Sequence, residues 1–424
     1  MTGGAQVLAL VLVATADTTS PAQPAALADG ATQSQEPISS GWSVYLEQDS
    51  VFSPKTDKDY TMGVQFSWSG WRIRRSPLGT ILGGPQRGID WLLHPIAKMH
   101  SRACEPGSTK PEIAPLCKLE GEQGGYQAHT LAFGVTAFTP RKGDPAEEGP
   151  DCLAYGCILA STEPVYDDRP YASLAFLTYR RSTARGKFGV HSDFTFGLLG
   201  LQIAKVVQTA IHDDQTDPGG WRHQISNAFE PTANYSFRLK YLGAAGRIHP
   251  GPTPDWAGAS PTDPEDDRWT DLTFDLGGSL GFYTNASGGA RLRLGLIDSP
   301  YWTTDRQPVV FTRRAERRKL PWIREAYAWA SGGYTYWCYN ALLQGQFRDS
   351  RVTLKFHPAP DDPNVASPLN HGAWDYQLGA ILRFRPFAVS YQYTSYDALF
   401  QGPHSRRHAY WGIYLTVGNP DLAR

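Results

Sequence analysis

Long stretches of strictly alternating apolar and polar residues constrain this chain more than any other feature. In Ala233–Tyr241, the residues Ala233, Tyr235, Phe237, Leu239 and Tyr241 point one way, and Asn234, Ser236, Arg238 and Lys240 the other. Leu292, Leu294 and Leu296 alternate with Arg291, Arg293 and Gly295. Leu272, Phe274, Leu276, Leu280 and Phe282 alternate with Thr273, Asp275, Gly277, Ser279 and Gly281. Trp411, Ile413, Leu415 and Val417 alternate with Gly412, Tyr414, Thr416 and Gly418. Side chains of a strand alternate faces, so each segment carries one apolar and one polar face. A soluble sandwich also alternates, but its core strands are usually shorter. Here the segments run about ten residues, the length a tilted strand needs to cross a bilayer. Arg238 and Lys240 suit a wet lumen, and Tyr and Trp at segment ends suit interfacial girdles.

The segments are Gly41–Asp49, Tyr60–Gly70, Ala128–Thr139, Tyr171–Ser182, Lys187–Gly200, Pro231–Leu242, Trp269–Thr284, Ala290–Ile297, Glu325–Tyr336, Ala373–Phe384, Phe387–Tyr396 and Ala409–Gly418. Twelve is an even number, as a closed barrel with both chain ends on one side requires. The expected architecture is all-β: a twelve-stranded antiparallel transmembrane β-barrel over 41–418, with a tail at 419–424. With the N-terminus on the periplasmic side, the connections after Asp49, Thr139, Gly200, Thr284, Tyr336 and Tyr396 are external. Insertions are expected at about 71–126, 141–166 and 243–268. The first and third make long periplasmic connections, where barrels usually have short turns. Gly88–His100 is expected as an amphipathic helix in the first. Leu201–His212 breaks the β pattern. Its Ile203, Val206, Val207, Ala210 and Ile211 fall at helical spacing, with Lys205, Gln208 and His212 on a second stripe. The spacing predicts a short helix in an external loop, lying against the barrel.

Composition narrows the class. Lys plus Arg is 40 and Asp plus Glu is 41, a balance that argues against a nucleic-acid binder. The 12% aromatic content argues against disorder. The longest apolar run, Val7 to Ala14, is far short of the ~20 residues of a spanning helix. Val7–Ala16 reads instead as the apolar part of a secretory signal, with small-residue cleavage candidates at Ala14-Thr15-Ala16 and Ala26-Leu27-Ala28. Residues 1–28 are expected as signal peptide and 29–40 as a tether. Cys104 with Cys117, and Cys152 with Cys157, suggest two local disulfides in an oxidising compartment. Their spacings match no standard zinc pattern. Cys338 is left over and expected to be buried or interfacial.

Gly277-Gly278-Ser279-Leu280-Gly281 matches a nucleophile-elbow pattern, but lies inside an alternating strand and reads as barrel wall. Better placed are Glu47-Gln48-Asp49-Ser50 at the end of the first segment and Asp57–Gly63 opening the second. Thr139-Pro140 ends the third, and Asp168-Arg169-Pro170-Tyr171-Ala172 opens the fourth. His212 follows the fifth, with Trp221, Gln224 and Glu230-Pro231 beyond. Singly, each is an ordinary surface acid, His or turn; together they converge on one rim. Neutral imidazole can take a proton from water near neutral pH. Hard oxygen ligands such as Asp49 suit Ca²⁺, which polarises an ester carbonyl. With no credible Ser or Cys nucleophile, direct water attack on an ester is the economical chemistry.

In this order, E-Q-D-S, D-x-D-Y-T-x-G, T-P, D-R-P-Y-A, Q-x-x-x-H, G-W-x-x-Q and E-P resemble the outer-membrane lipid A 3′-O-deacylase family. The resemblance runs from about Trp42 to Val417, and Asn340–Gly345 also looks familial. It implies a calcium-dependent twelve-stranded barrel in the outer membrane, with its site between the outer wall and a loop helix. It also implies lipid A as substrate, and a mechanism like that of secreted phospholipase A2. Carried over by motif, His212 is the general base, Asp49 and Gln48 shape the Ca²⁺ site, and Thr61 supports it. Lys142 is the nearest match to the family's oxyanion lysine, and Asp214 and Asp217 are candidates for its acid, with Asp217 as a metal ligand. The family usually has Asn where this chain has Gln48, one methylene longer. The chain ends in Asn419–Arg424 rather than at a terminal aromatic. The expected partners are lipid A and outer-membrane lipids, with the barrel a monomer. Two other readings stay open: a channel or structural barrel, and a barrel phospholipase acting on glycerophospholipids.

Overall fold

The structure, a computed structural model, describes residues 40–48, 62–93, 126–140, 169–185, 188–206, 219–226, 229–247, 268–297, 299, 301–303, 323–347, 369–384, 386–401 and 405–418. Twelve antiparallel strands close a barrel. They are β1 Gly41–Gln48, β2 Met62–Ser69, β3 Tyr126–Phe138, β4 Ala172–Arg185, β5 Phe188–Leu199, β6 Glu230–Arg247, β7 Arg268–Gly281, β8 Tyr283–Ile297, β9 Ile323–Asn340, β10 Gly372–Phe384, β11 Phe387–Tyr396 and β12 His408–Gly418. Each strand pairs with its sequence neighbours, and β12 returns to β1, from Gly41↔Gly418 to Gln48↔Trp411.

All twelve expected segments are strands, and the differences lie at their ends. Only Phe282 separates β7 from β8, so the surface loop expected after Thr284 does not exist. Asn285, Ser287, Gly288 and Gly289 show no apolar alternation, yet they pair with both β7 and β9. β6 runs on to Arg247 through Gly243, Ala244 and Ala245, so the third insertion starts later than expected. Small residues and register shifts there erase the alternating signal. Ser279 and its glycines lie within β7, as wall. Cys338 is exposed in β9, not buried. Residues 1–39, the other four cysteines, the second insertion and the tail lie outside the described residues.

The two barrel faces follow the alternation. Leu46, Phe66, Phe133, Phe196, Leu276, Leu378 and Leu415 are exposed on the outer face, as a lipid-facing surface requires. Opposite residues fill the lumen. At the rim carrying the odd-to-even connections, Leu174, Leu199, Ile225, Phe282, Ala341 and Leu342 form a buried cluster. The one-turn helix Ala341–Gln344 enters it, capped by Asn340, whose side chain accepts from the Leu342 amide. At the opposite end, Tyr301 and Trp302 pack on Ala128 and Leu242. Beside them Arg293 forks onto Asp271, with Nε at 2.8 Å, and Arg383 Nε reaches Glu325 at 2.7 Å. These four charges are buried but mutually paired. Between the two ends lies a small polar cavity of about 90 Å³ lined by residues such as Gln65, Thr130, Arg180 and Asp193.

After β2 the chain forms α1, Trp71–Arg75, and α2, Pro77–Leu93. The helix expected at Gly88–His100 therefore starts earlier, at Pro77, and 94–100 lie outside the described residues. Pro77 starts α2 where a missing N–H is harmless. Gly83-Gly84-Pro85 looks like a helix breaker, but it is internal to α2. Gly83 presses on Tyr179 of β4: a Cβ there would stand 3.0 Å from the ring.

Candidate active site at the motif rim

The strand register builds the site row by row. Glu47 pairs with Gly63, Gly63 with Thr136, Thr136 with Leu174, Leu174 with Leu199, and Leu199 with Glu230. One residue nearer the rim, Met62 pairs with Ala137 and Ala137 with Ser173. Gln48, beyond Glu47, extends this second row, and the Gly200 amide donates to the Ser173 carbonyl at 3.0 Å. Alternation turns the first row to the lumen and the second to the outer face. Glu47 shows the inward sense: its Oε1 accepts from Tyr414 Oη at 3.0 Å inside the barrel. Gln48 therefore sits half-buried on the outer face. The register thus places Gln48 of E-Q-D-S and Met62 of D-x-D-Y-T-x-G on one row of the outer face, with Ala137 and Ser173 beside T-P and D-R-P-Y-A.

The chain after β5 folds over this row. Ala204, in the helical turn 203–206, packs with Ala137, Tyr171 and Trp221. Trp221 is fully buried in the 3₁₀ turn Gly219–His223 and meets Tyr171 edge-on, 5.1 Å between centroids. Ser173 Oγ lies 2.7 Å from the Leu201 carbonyl and 2.8 Å from Gln224 Oε1. Gln224 Nε2 donates to the Gly200 carbonyl at 3.2 Å. The Ile225 amide donates to the Tyr171 carbonyl at 2.9 Å. Gly200 has φ +76°, and a Cβ there would fall 1.8 Å from the Ser226 carbonyl oxygen, so only glycine fits. Ser226 and Phe229 hold φ of 56° and 59°, uncommon for residues with a side chain. Ser226 Oγ donates to the Glu230 carboxylate, whose Oε1 also accepts the Phe347 amide at 2.5 Å. Arg169 lies over the Phe138 ring, 4.2 Å from its centroid.

These contacts give the motif residues a structural task. Tyr171, Trp221, Gln224 and Glu230 form a frame that holds the loop after β5, while Arg169 packs on Phe138. Among the candidate site residues, Gln48 is described. Asp49, Thr61, Lys142, His212, Asp214 and Asp217 lie outside the described residues. Ser173 was not singled out from the sequence, although it directly follows D-R-P-Y-A. Phe347 contributes a backbone amide and leaves no sequence signal. The loop helix also differs from expectation at its start. Ile203 and Val206 are 42% and 65% exposed while Ala204 faces the wall, so the apolar stripe points outward here. A small Ala204 on a small Ala137 permits the close approach.

The lipid-exposed belt, the closed ring and the filled lumen ends define an outer-membrane β-barrel whose candidate site lies on the outside of its wall. Over residues 7–417 the sequence matches the family described as "Outer membrane protein LpxR", and the chain belongs to that family. Among solved structures, LpxR from Salmonella typhimurium is 13% identical, with 90% of this chain and 100% of that chain covered and a TM-score of 0.55. The two share the barrel fold. The β domain of the Bordetella autotransporter BrkA is 7% identical, with 90% and 100% covered and a TM-score of 0.33. No curated protein sequence matches the chain.

Proposed function

We propose that this protein is a lipid A deacylase that hydrolyses the 3′-linked acyl ester by direct water attack. One observation carries the reading. The row of Gln48 and the loop that leads to His212 share the outer face of the wall, so the site opens sideways toward the leaflet. An amphiphile held in the membrane reaches such a site, whereas a soluble metabolite would be better served by the lumen. His212 takes a proton from the attacking water. The water oxygen bonds to the acyl carbon, the ester C–O bond breaks, and a proton passes to the departing sugar oxygen. Lys142 supplies a positive charge near the developing oxyanion.

Gln48, Asp49 and Asp217 together offer only hard oxygen donors, which suits Ca²⁺. Gln48 faces the same side as the loop, at the last described position before Asp49. When bound, such an ion would polarise the ester carbonyl. Thr61 would support the donors by hydrogen bonding. A conducting pore finds no support in a lumen whose two ends hold the buried clusters around Phe282 and Trp302.

The test is mass spectrometry of lipid A from membranes with the wild-type chain or His212→Ala, with and without a calcium chelator. Loss of the 3′-linked acyl (acyloxyacyl) group should need both His212 and calcium. Full deacylation by His212→Ala would sink the mechanism. Preferential release of fatty acid from glycerophospholipid, offered beside lipid A, would replace the substrate.

A further inference from the structure

The helical pair α1–α2 reverses the usual placement of polar and apolar residues on a barrel. α1 lies on β3, and α2 crosses the outer face of β4 to β6. Ile73 and Leu82 pack on Tyr179. Further along, Gln86 Nε2 donates to Ser192 Oγ at 3.0 Å. Asp90 then receives Tyr235 Oη at 2.6 Å, Ser192 Oγ at 3.0 Å and Arg181 at 2.9 Å. Tyr179, Arg181, Ser192 and Tyr235 all belong to the outward set of their strands, the set that includes lipid-belt residues Phe196 and Tyr241. His129 of β3, also outward, is buried with its Nδ1 2.8 Å from Tyr179 Oη. Left bare to acyl chains, this polar patch would be strongly unfavourable. α2 covers it with its own polar side.

The opposite side of α2 is apolar. Leu78, Ile81, Trp91, Leu92 and Leu93 are exposed, Ile81 and Leu92 each by 66%. Arg87 is the one charged residue on that face of α2, while α1 carries Arg72, Arg74 and Arg75. A water-facing helix would show the reverse pattern. The exposed side continues the lipid belt of the strands beside it, where Phe133 and Phe196 are bare. Arg181 and Ser192 lie four residues from their strand ends at Arg185 and Phe188, roughly 13 Å along the strand at 3.3 Å per residue and about 10 Å in depth at a barrel tilt of about 40°. That depth is inside a bilayer leaflet.

We propose that α1–α2 is a lipid-embedded brace, packed outside the barrel in the glycerophospholipid leaflet opposite the motif rim. Its apolar side meets acyl chains, and the arginines of α1 meet phospholipid phosphates. The choice of leaflet rests on the proposed function, which puts the motif rim at the lipid A surface. The membrane embedding rests on the helix alone.

A photoreactive benzoylphenylalanine at Ile81 or Leu92, in the full-length protein in native outer membranes, tests this directly. Phe133, in the strand belt, is the positive control. Irradiation should give glycerophospholipid adducts at Ile81 and Leu92 at yields within about threefold of Phe133. Adducts to another protein or to another segment of this chain would overturn the proposal, as would absence of lipid adducts at both positions while Phe133 reacts. Adducts of lipid A would overturn the leaflet assignment. Asp90→Leu should lower the lipid-adduct yield at Ile81 several-fold by releasing the helix, and an unchanged yield would count against the brace. Scoring lipid A deacylation in the same membranes separates the two readings. Phospholipid adducts without any deacylation would remove the proposed activity and leave the brace standing.

Discussion

The same stretch of wall, β3 to β6, is covered twice, once near each end. At the motif rim the cover is the loop after β5, held by Trp221, Gln224 and Ser173. Toward the other end it is α2, held by Asp90, Gln86 and Arg181. Both covers place a small residue against the wall, Ala204 on Ala137 and Gly83 on Tyr179. Both leave apolar side chains outward, Ile203 and Val206 in one, Ile81 and Leu92 in the other. They differ in what they enclose. The rim cover is anchored mainly through backbone carbonyls and aromatic packing, and it leads to His212. The lower cover closes on an ion pair and satisfies it. The rim cover thus borders the site proposed above, whereas the lower cover seals its charges.

That difference is open to experiment. The largest effect is expected from His212→Ala, a loss of about 10²–10⁴-fold in lipid A deacylation, the usual contribution of a general base. The heat-dependent gel mobility of the barrel should not change. Next, Trp221→Ala empties the most buried aromatic of the rim cover. It should cost about 3–5 kcal/mol locally, read as accelerated proteolysis of the loop after β5 together with loss of activity. Asp90→Ala should be comparable in energy, about 3–5 kcal/mol, because it removes a buried carboxylate and strands the half-buried Arg181 with the Tyr235 and Ser192 hydroxyls. Its signature is the contrast: urea unfolding in detergent shifts down while deacylation per folded molecule holds. If activity fell in step with Trp221→Ala, the two covers would be one coupled unit. Gln224→Ala should be milder, about 1–3 kcal/mol for the partners it strands, with partial activity. Smallest is Gln48→Asn, expected to change the calcium concentration for half-maximal activity by only about threefold, or ~0.6 kcal/mol. No calcium dependence in either form would remove Gln48 from the ion's surroundings.

Much of this fold is legible in the sequence because lipid and lumen impose opposite demands on neighbouring residues. β11 is read to the residue, Phe387–Tyr396, since from Phe387 to Thr394 each outward position is large and each inward one small or polar. The first half of β8 is not legible, because Ser287, Gly288 and Gly289 pair through backbone alone. α2 hides behind Gly83-Gly84-Pro85, whose local preference against helix is overridden by packing on Tyr179. The polar patch under α2 is hidden for a deeper reason. Alternation tells which residues share a face, not what covers that face, so Arg181 and Ser192 read as ordinary strand residues. Of the candidate site, the frame is legible as motifs, and its geometry follows from register. The roles of Asp49, Thr61, Lys142, His212 and Asp217 rest on chemistry and motif order, since those residues lie outside the described part of the structure.

The seam between β1 and β12 has a consequence for when the site comes into being. Tyr414 and Glu47, joined across it, are 367 positions apart, and Tyr414 also donates to Gln392 and stacks on Tyr45 at 4.7 Å. Loop-closure entropy makes that contact about 3 kcal/mol dearer than a ten-residue hairpin. It is therefore the natural candidate for the last to form during insertion. Gln48 is the next residue after Glu47, paired with Trp411. Until the ring shuts, nothing on the β12 side fixes the strand that carries Gln48. On the function proposed above, ring closure would then also complete the site, because it fixes the strand that carries Gln48.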